Sequence, residues 1–60
     1  MLNKNDELKI MRYLENNYML EFYNVYKFDG YIEIVPKEGG EPLYFWLDEH
    51  GAIEFDDYPF

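Results

Sequence analysis

His50 stands next to Asp48 and Glu49, and it is the only histidine in the chain. An imidazole beside a carboxylate is the local form of a general base and its orienting group. Such a pair needs a nucleophile, and the chain has no Ser, Thr, Cys or Gln. His50 is therefore expected to be a solvated turn residue. Asp48, Glu49, Glu54, Asp56 and Asp57 crowd one short stretch. Hard cations such as Ca²⁺ and Mg²⁺ take oxygen ligands of this kind, but the spacing lacks the D-x-D-x-D-G run and distal Glu of an EF-hand loop. Glu38-Gly39-Gly40-Glu41 has no Lys-Ser/Thr pair, and its flanking charge has the wrong sign for a phosphate loop. Paired carboxylates that cleave glycosides need a cleft. Sixty residues leave little room for a pocket of the usual size, about 300–1,000 Å³. The expectation is a non-enzymatic protein with no catalytic residues, no cofactor and no metal.

The acids at the end of that stretch depend on a hairpin. Leu43, Phe45 and Leu47 alternate with Tyr44 and Trp46, and Ile53 and Phe55 alternate with Ala52, Glu54 and Asp56. Period-two alternation in aromatic and β-branched residues marks strands buried on one face. Glu49-His50-Gly51 is the turn, with Gly51 free to take positive φ. With Asp48 facing Ala52, Leu47 meets Ile53, Phe45 meets Phe55, Trp46 meets Glu54, and Tyr44 meets Asp56. A slip of one residue would mix the apolar and acidic sets, so the register is well specified.

A second hairpin precedes it. Asp29-Gly30 is a strong two-residue turn signal. Pairing Phe28 with Tyr31 puts Lys27 opposite Ile32, Tyr26 opposite Glu33, Val25 opposite Ile34 and Asn24 opposite Val35. The first strand is expected over Met19 to Phe28, with a bulge near Asn24 because Phe22 has the wrong parity for Val25. Pro36 to Pro42 is a loop, since two prolines and two glycines end the strands on either side.

Asn3 to Asn17 is expected to be helical. Asn5 or Asn3 caps its start, and Asp6 and Glu7 suit the positive end of the dipole. Leu8, Met11, Leu14 and Tyr18 form its apolar stripe, widened by Ile10. Asn16-Asn17 is the expected stop, through the left-handed conformation that Asn tolerates. The fold class is then α+β, an N-terminal helix packed on one face of a four-stranded antiparallel β-meander, in a single small acidic domain spanning 1–60. The helix covers Val25, Ile32, Ile34, Leu43, Phe45, Leu47, Ile53 and Phe55. The apolar ending Tyr58-Pro59-Phe60 is expected to pack on the body or a partner.

Charge bears on partners. The net charge is −8. Residues 1–30 hold five acids and four bases, whereas residues 31–60 hold eight acids and one base, Lys37. Nucleic acid and anionic membrane would be repelled, so neither is an expected direct partner. The opening MLNKNDELK has no apolar run of the signal-peptide kind, and no stretch approaches the roughly 20 apolar residues of a membrane span. A cytoplasmic location is the expectation. Without cysteine, a chain this short gains extra stability from dense aromatic packing or a partner surface.

The sheet face away from the helix is expected to carry Tyr26, Phe28, Tyr31, Glu33, Tyr44, Trp46, Glu54 and Asp56. Aromatics ringed by carboxylates are the raw material of an interface with Arg and Lys. Glu54 and Asp56 are about 6–7 Å apart at about 3.3 Å per residue, comparable with neighbouring phosphates on a nucleic-acid strand. A surface of this kind can occupy a basic nucleic-acid-binding groove as a decoy, as small acidic inhibitors of phage type do. That likeness is one of composition. The expected partner-binding residues are Tyr26, Tyr31, Glu33, Tyr44, Trp46, Glu54 and Asp56, and the expected partner is a basic protein such as a nucleic-acid-binding protein or nuclease. Two other readings stand beside this one. In one, a second copy covers the face, giving a homodimer or a structural subunit; in the other, its cross-strand pairs simply stabilise a sheet without a second layer.

Overall fold

A computed structural model describes residues 3–57. Helix α1 spans Lys4–Asn17. Asn3, not Asn5, is its N-cap: Asn3 Oδ1 accepts from the Asp6 N–H at 2.8 Å, satisfying one of the donors a helix start leaves open. The helix stops at Asn17 as expected, but by a different route. Tyr18 is extended at φ −135°, and its N–H bonds the Leu14 carbonyl. No described non-glycine residue has positive φ. Asn17 instead uses its amide, which donates to the Tyr13 carbonyl at 2.8 Å.

A 3₁₀ turn over Leu20–Phe22 follows, then β1 Tyr23–Phe28, β2 Tyr31–Pro36, β3 Leu43–Leu47 and β4 Ile53–Asp56. The expected strand from Met19 is thus shorter, because its first residues turn and Leu20 folds against the core. The expected bulge near Asn24 is absent. The β1–β2 ladder runs without interruption from Tyr23↔Pro36 to Phe28↔Tyr31. Phe22 precedes the strand, so its parity imposes nothing, and its carbonyl accepts from the Lys37 N–H at 2.9 Å.

The sheet is a four-stranded antiparallel meander in the order β1-β2-β3-β4. Both hairpin registers are as read from the turns, down to Val25↔Ile34 and Trp46↔Glu54. Gly51 closes the second turn at φ 78°. Asp48 Oδ1 holds that turn by accepting from the N–H groups of His50 and Ala52, at 2.8 and 2.9 Å. The central ladder joins Ile32↔Phe45, Glu33↔Tyr44 and Ile34↔Leu43.

One helix packs on one side of this sheet, an α+β arrangement. Ile10, Leu14, Ile32, Ile34 and Phe45 are fully buried between the two layers. Phe45 is the hub, with ring centroids 6.1 Å from Tyr13, 5.7 Å from Tyr18 and 5.7 Å from Phe55. Leu8 is a correction: it is 47% exposed. At about 100° per residue it sits roughly 160° around the helix from Ile10. Tyr13, on the other flank of the stripe beside Ile10, packs against the core instead. Phe55 lies on the helix side, yet it is 54% exposed because β4 is an outer strand. Lys27 also lies on this side and reaches Glu7 of α1, Nζ to Oε1 3.1 Å. Tyr58-Pro59-Phe60 and any packing it has lie outside the described residues.

Candidate protein-binding face

The ladders that bury Ile32, Ile34 and Phe45 on one side place the alternate residues on the other. One row crosses all four strands as Tyr26, Glu33, Tyr44 and Asp56, each the Cα partner of the next. The neighbouring row holds Phe28 opposite Tyr31 and Trp46 opposite Glu54. One step on from Ile32↔Phe45 sets Tyr31 beside Trp46. All seven residues singled out in the sequence therefore share this face, and Phe28 joins them.

The aromatics form a connected cluster. Phe28 stacks on Tyr31, centroids 4.9 Å apart and planes 20° apart, and Tyr31 meets Tyr44 edge to face at 5.9 Å. Tyr26 and Phe28 remain 47% and 44% exposed. Tyr44 is half-buried. Its phenol is raised above its ordinary pKa first by desolvation and then by the Glu33 carboxylate, which repels the phenolate and accepts the phenol's hydrogen bond. Tyr31 adds a smaller push in the same direction.

Glu54 and Asp56 sit in solvent at the outer edge. The Asp56 carboxylate accepts the Asp57 N–H at 2.6 Å. Among the described residues, neither Glu54 nor Asp56 takes part in an ion pair. Lys27 sits on the opposite side with Glu7. The face thus combines a ring cluster with carboxylates open to an incoming cation.

The other chemical candidates resolve differently. His50 is 82% exposed in its side chain, and its Nε2 lies 3.6 Å from the equally open Glu49. This is a solvated turn, with Asp48 committed to backbone N–H groups. Among the described residues no group of three or more His, Cys, Asp or Glu could hold a metal ion. The small size of the chain does not preclude a groove, contrary to expectation. An open groove of about 440 Å³ runs between the 3₁₀ turn and the β2–β3 loop, lined by Tyr18, Met19, Phe22, Tyr23, Pro36 and Glu38 among others. Strand periodicity does not reveal it, because the 3₁₀ turn, not a strand, presents Met19 and Phe22, which are 63% and 56% exposed. No helix among the described residues is long and apolar enough to cross a membrane.

Fold and surface together define a small α+β module with one sheet face left open. Comparison with protein-family models, curated proteins and solved structures found no match.

Proposed function

We propose that this protein is a non-enzymatic binding module whose open sheet face docks a basic protein surface. The observation that supports it most is the row Tyr26–Glu33–Tyr44–Asp56, flanked by Trp46 opposite Glu54. Large rings there supply area at low entropic cost, while acids that form no ion pair among the described residues select Arg and Lys. Tyr44 and Trp46 anchor, and Glu33, Glu54 and Asp56 form the charged pairs. Net charge of −8 speeds encounter with a cationic target and disfavours direct contact with nucleic acid or anionic lipid. A nucleic-acid-binding protein or nuclease is the favoured target, because carboxylates spaced like phosphates occupy the groove that phosphates would. The encounter is placed in the cytoplasm as part of the same reading.

The test compares the wild-type chain with a Glu54→Lys/Asp56→Lys variant as immobilised bait. Basic proteins retained by the wild type should be lost from the variant and released by salt. Equal capture by both baits would sink the proposal. Sedimentation of the free protein at low and high concentration separates it from a self-associating subunit. A stable dimer that buries Trp46 would leave no face for a partner.

A further inference from the structure

The backbone of β4 carries information that its side chains do not. In an antiparallel ladder, hydrogen-bonded and non-bonded residue pairs alternate. The Asp48 N–H bonds the Ala52 carbonyl at 2.8 Å. Steps of two along the register then make Trp46–Glu54 and Tyr44–Asp56 the bonded pairs. The N–H and C=O groups of Ile53 and Phe55 are left pointing out of the sheet, on an outer strand. Side chains divide the other way. Glu54 and Asp56 stand on the acidic face, while Ile53 and Phe55 stand on the helix side. There Phe55 stacks on Phe45 at 5.7 Å, yet stays 54% exposed.

We infer that the β4 edge accepts an extended strand from a basic partner, with the local pattern basic–apolar–basic. This rests on the acidic-face reading and supplies its binding mode. An added strand bonds the outward groups of Ile53 and Phe55, as in other cases of strand addition. Alternation then fixes its side chains. The residue facing Phe55 lies on the helix side and covers the exposed ring. Its two neighbours lie on the other face, beside Glu54 and Asp56, where Arg or Lys completes a cross-strand charge pair.

A second copy of this chain does not fit the edge. Pairing β4 with β4 sets carboxylates against carboxylates, which is unfavourable. The other outer strand, β1, offers Asn24, Tyr26 and Phe28 on the acidic face, because Lys27 is turned to the helix and held by Glu7. Acids on a short outer strand guard against self-pairing, and the same acids favour a cationic strand.

The experiment titrates the full chain with three short synthetic peptides: one alternating arginine and valine, the same peptide N-methylated at the amides that would face β4, and one of equal composition with its arginines in a block. Amide exchange at Ile53 and Phe55 reports the edge, and Trp46 fluorescence reports affinity. The alternating peptide should slow exchange at both residues. The methylated and blocked peptides should bind about ten-fold more weakly, the equivalent of one net hydrogen bond, without protecting them. If the methylated peptide binds equally well, with chemical-shift changes confined to Glu33, Tyr44 and Trp46, the edge mode is overturned and the basic-partner reading survives. If no arginine peptide binds, or if a folded Glu54→Lys/Asp56→Lys variant binds undiminished, both are overturned.

Discussion

Glu33 and Tyr44 face each other across β2 and β3, and the carboxylate helps keep the phenol protonated above the usual tyrosine range. Desolvation is the larger cause, and the carboxylate is second. Tyr18, on the other side of the sheet, is also raised, chiefly by burial and then by its neighbours Tyr13 and Tyr23. Absorbance titration of tyrosinate should therefore show late-titrating phenols. In Glu33→Gln the Tyr44 component should move back toward the ordinary value of 10.0, and the Tyr18 component should stay. An unchanged titration in Glu33→Gln would remove the carboxylate from this account.

Linkage gives those shifts a sign. A phenol whose folded pKa exceeds its unfolded one favours the folded state while protonated. That contribution is fully present below about pH 10, the unfolded tyrosine value, and is lost as pH rises through the raised folded values. Stability should thus fall on the alkaline side of pH 10, and denaturant midpoints measured across that range check it.

Phe45 meets Tyr13 and Tyr18 from the helix and Phe55 from the outer strand. Phe45→Ala empties the centre of the only packed layer described and should cost about 3–5 kcal/mol. In a chain this short that is enough to leave much of it unfolded at room temperature. Phe55→Ala, at a position 54% exposed, should cost well under half as much. Urea unfolding followed by Trp46 fluorescence distinguishes them, and equal losses would refute this placement of the core.

The Glu49-His50-Gly51 turn should be sensitive at two points. Gly51→Ala has room for its Cβ, whose nearest neighbour is Lys9 Nζ at 3.8 Å, but the backbone sits at φ 78°. Left-handed strain alone sets the cost, about 1–2 kcal/mol. Asp48→Ala strips two backbone donors of their acceptor and should cost about 1–3 kcal/mol. Thermal melts should show both, with Gly51→Asn milder than Gly51→Ala.

Asn3→Ala and Asn5→Ala separate the cap from its neighbour. Only Asn3 accepts from the Asp6 N–H. Asn3→Ala should lose about 1 kcal/mol, and Asn5→Ala close to none. Far-UV circular dichroism during denaturation provides the comparison, and an equal effect at Asn5 would contradict the assignment.

What the sequence disclosed depended on local chemistry. Asp29-Gly30 and Gly51 dictate two-strand registers by themselves, so every cross-strand pair of both hairpins could be written down from spacing. The seven residues of the candidate face followed from parity. The misreadings came where tertiary packing decides. Leu20 leaves extended structure to reach the core, which no alternation pattern signals. Tyr13 rather than Leu8 packs on the core because the helix face that meets Ile32, Ile34 and Phe45 is centred on Ile10 and Leu14. The exposure of Phe55 depends on how far one helix reaches across four strands. The chemistry of the acidic face was visible as composition, whereas the direction of the β4 backbone groups required the ladder itself.

The Lys9 ammonium donates to the carbonyl of Gly51, 42 positions further along the chain. Together with Ile10 and Leu14 packed in one cluster with Phe45, this ties α1 to the second hairpin through partners distant in sequence. Neither layer has an apolar face it can cover alone, so helix and sheet should melt as one cooperative unit.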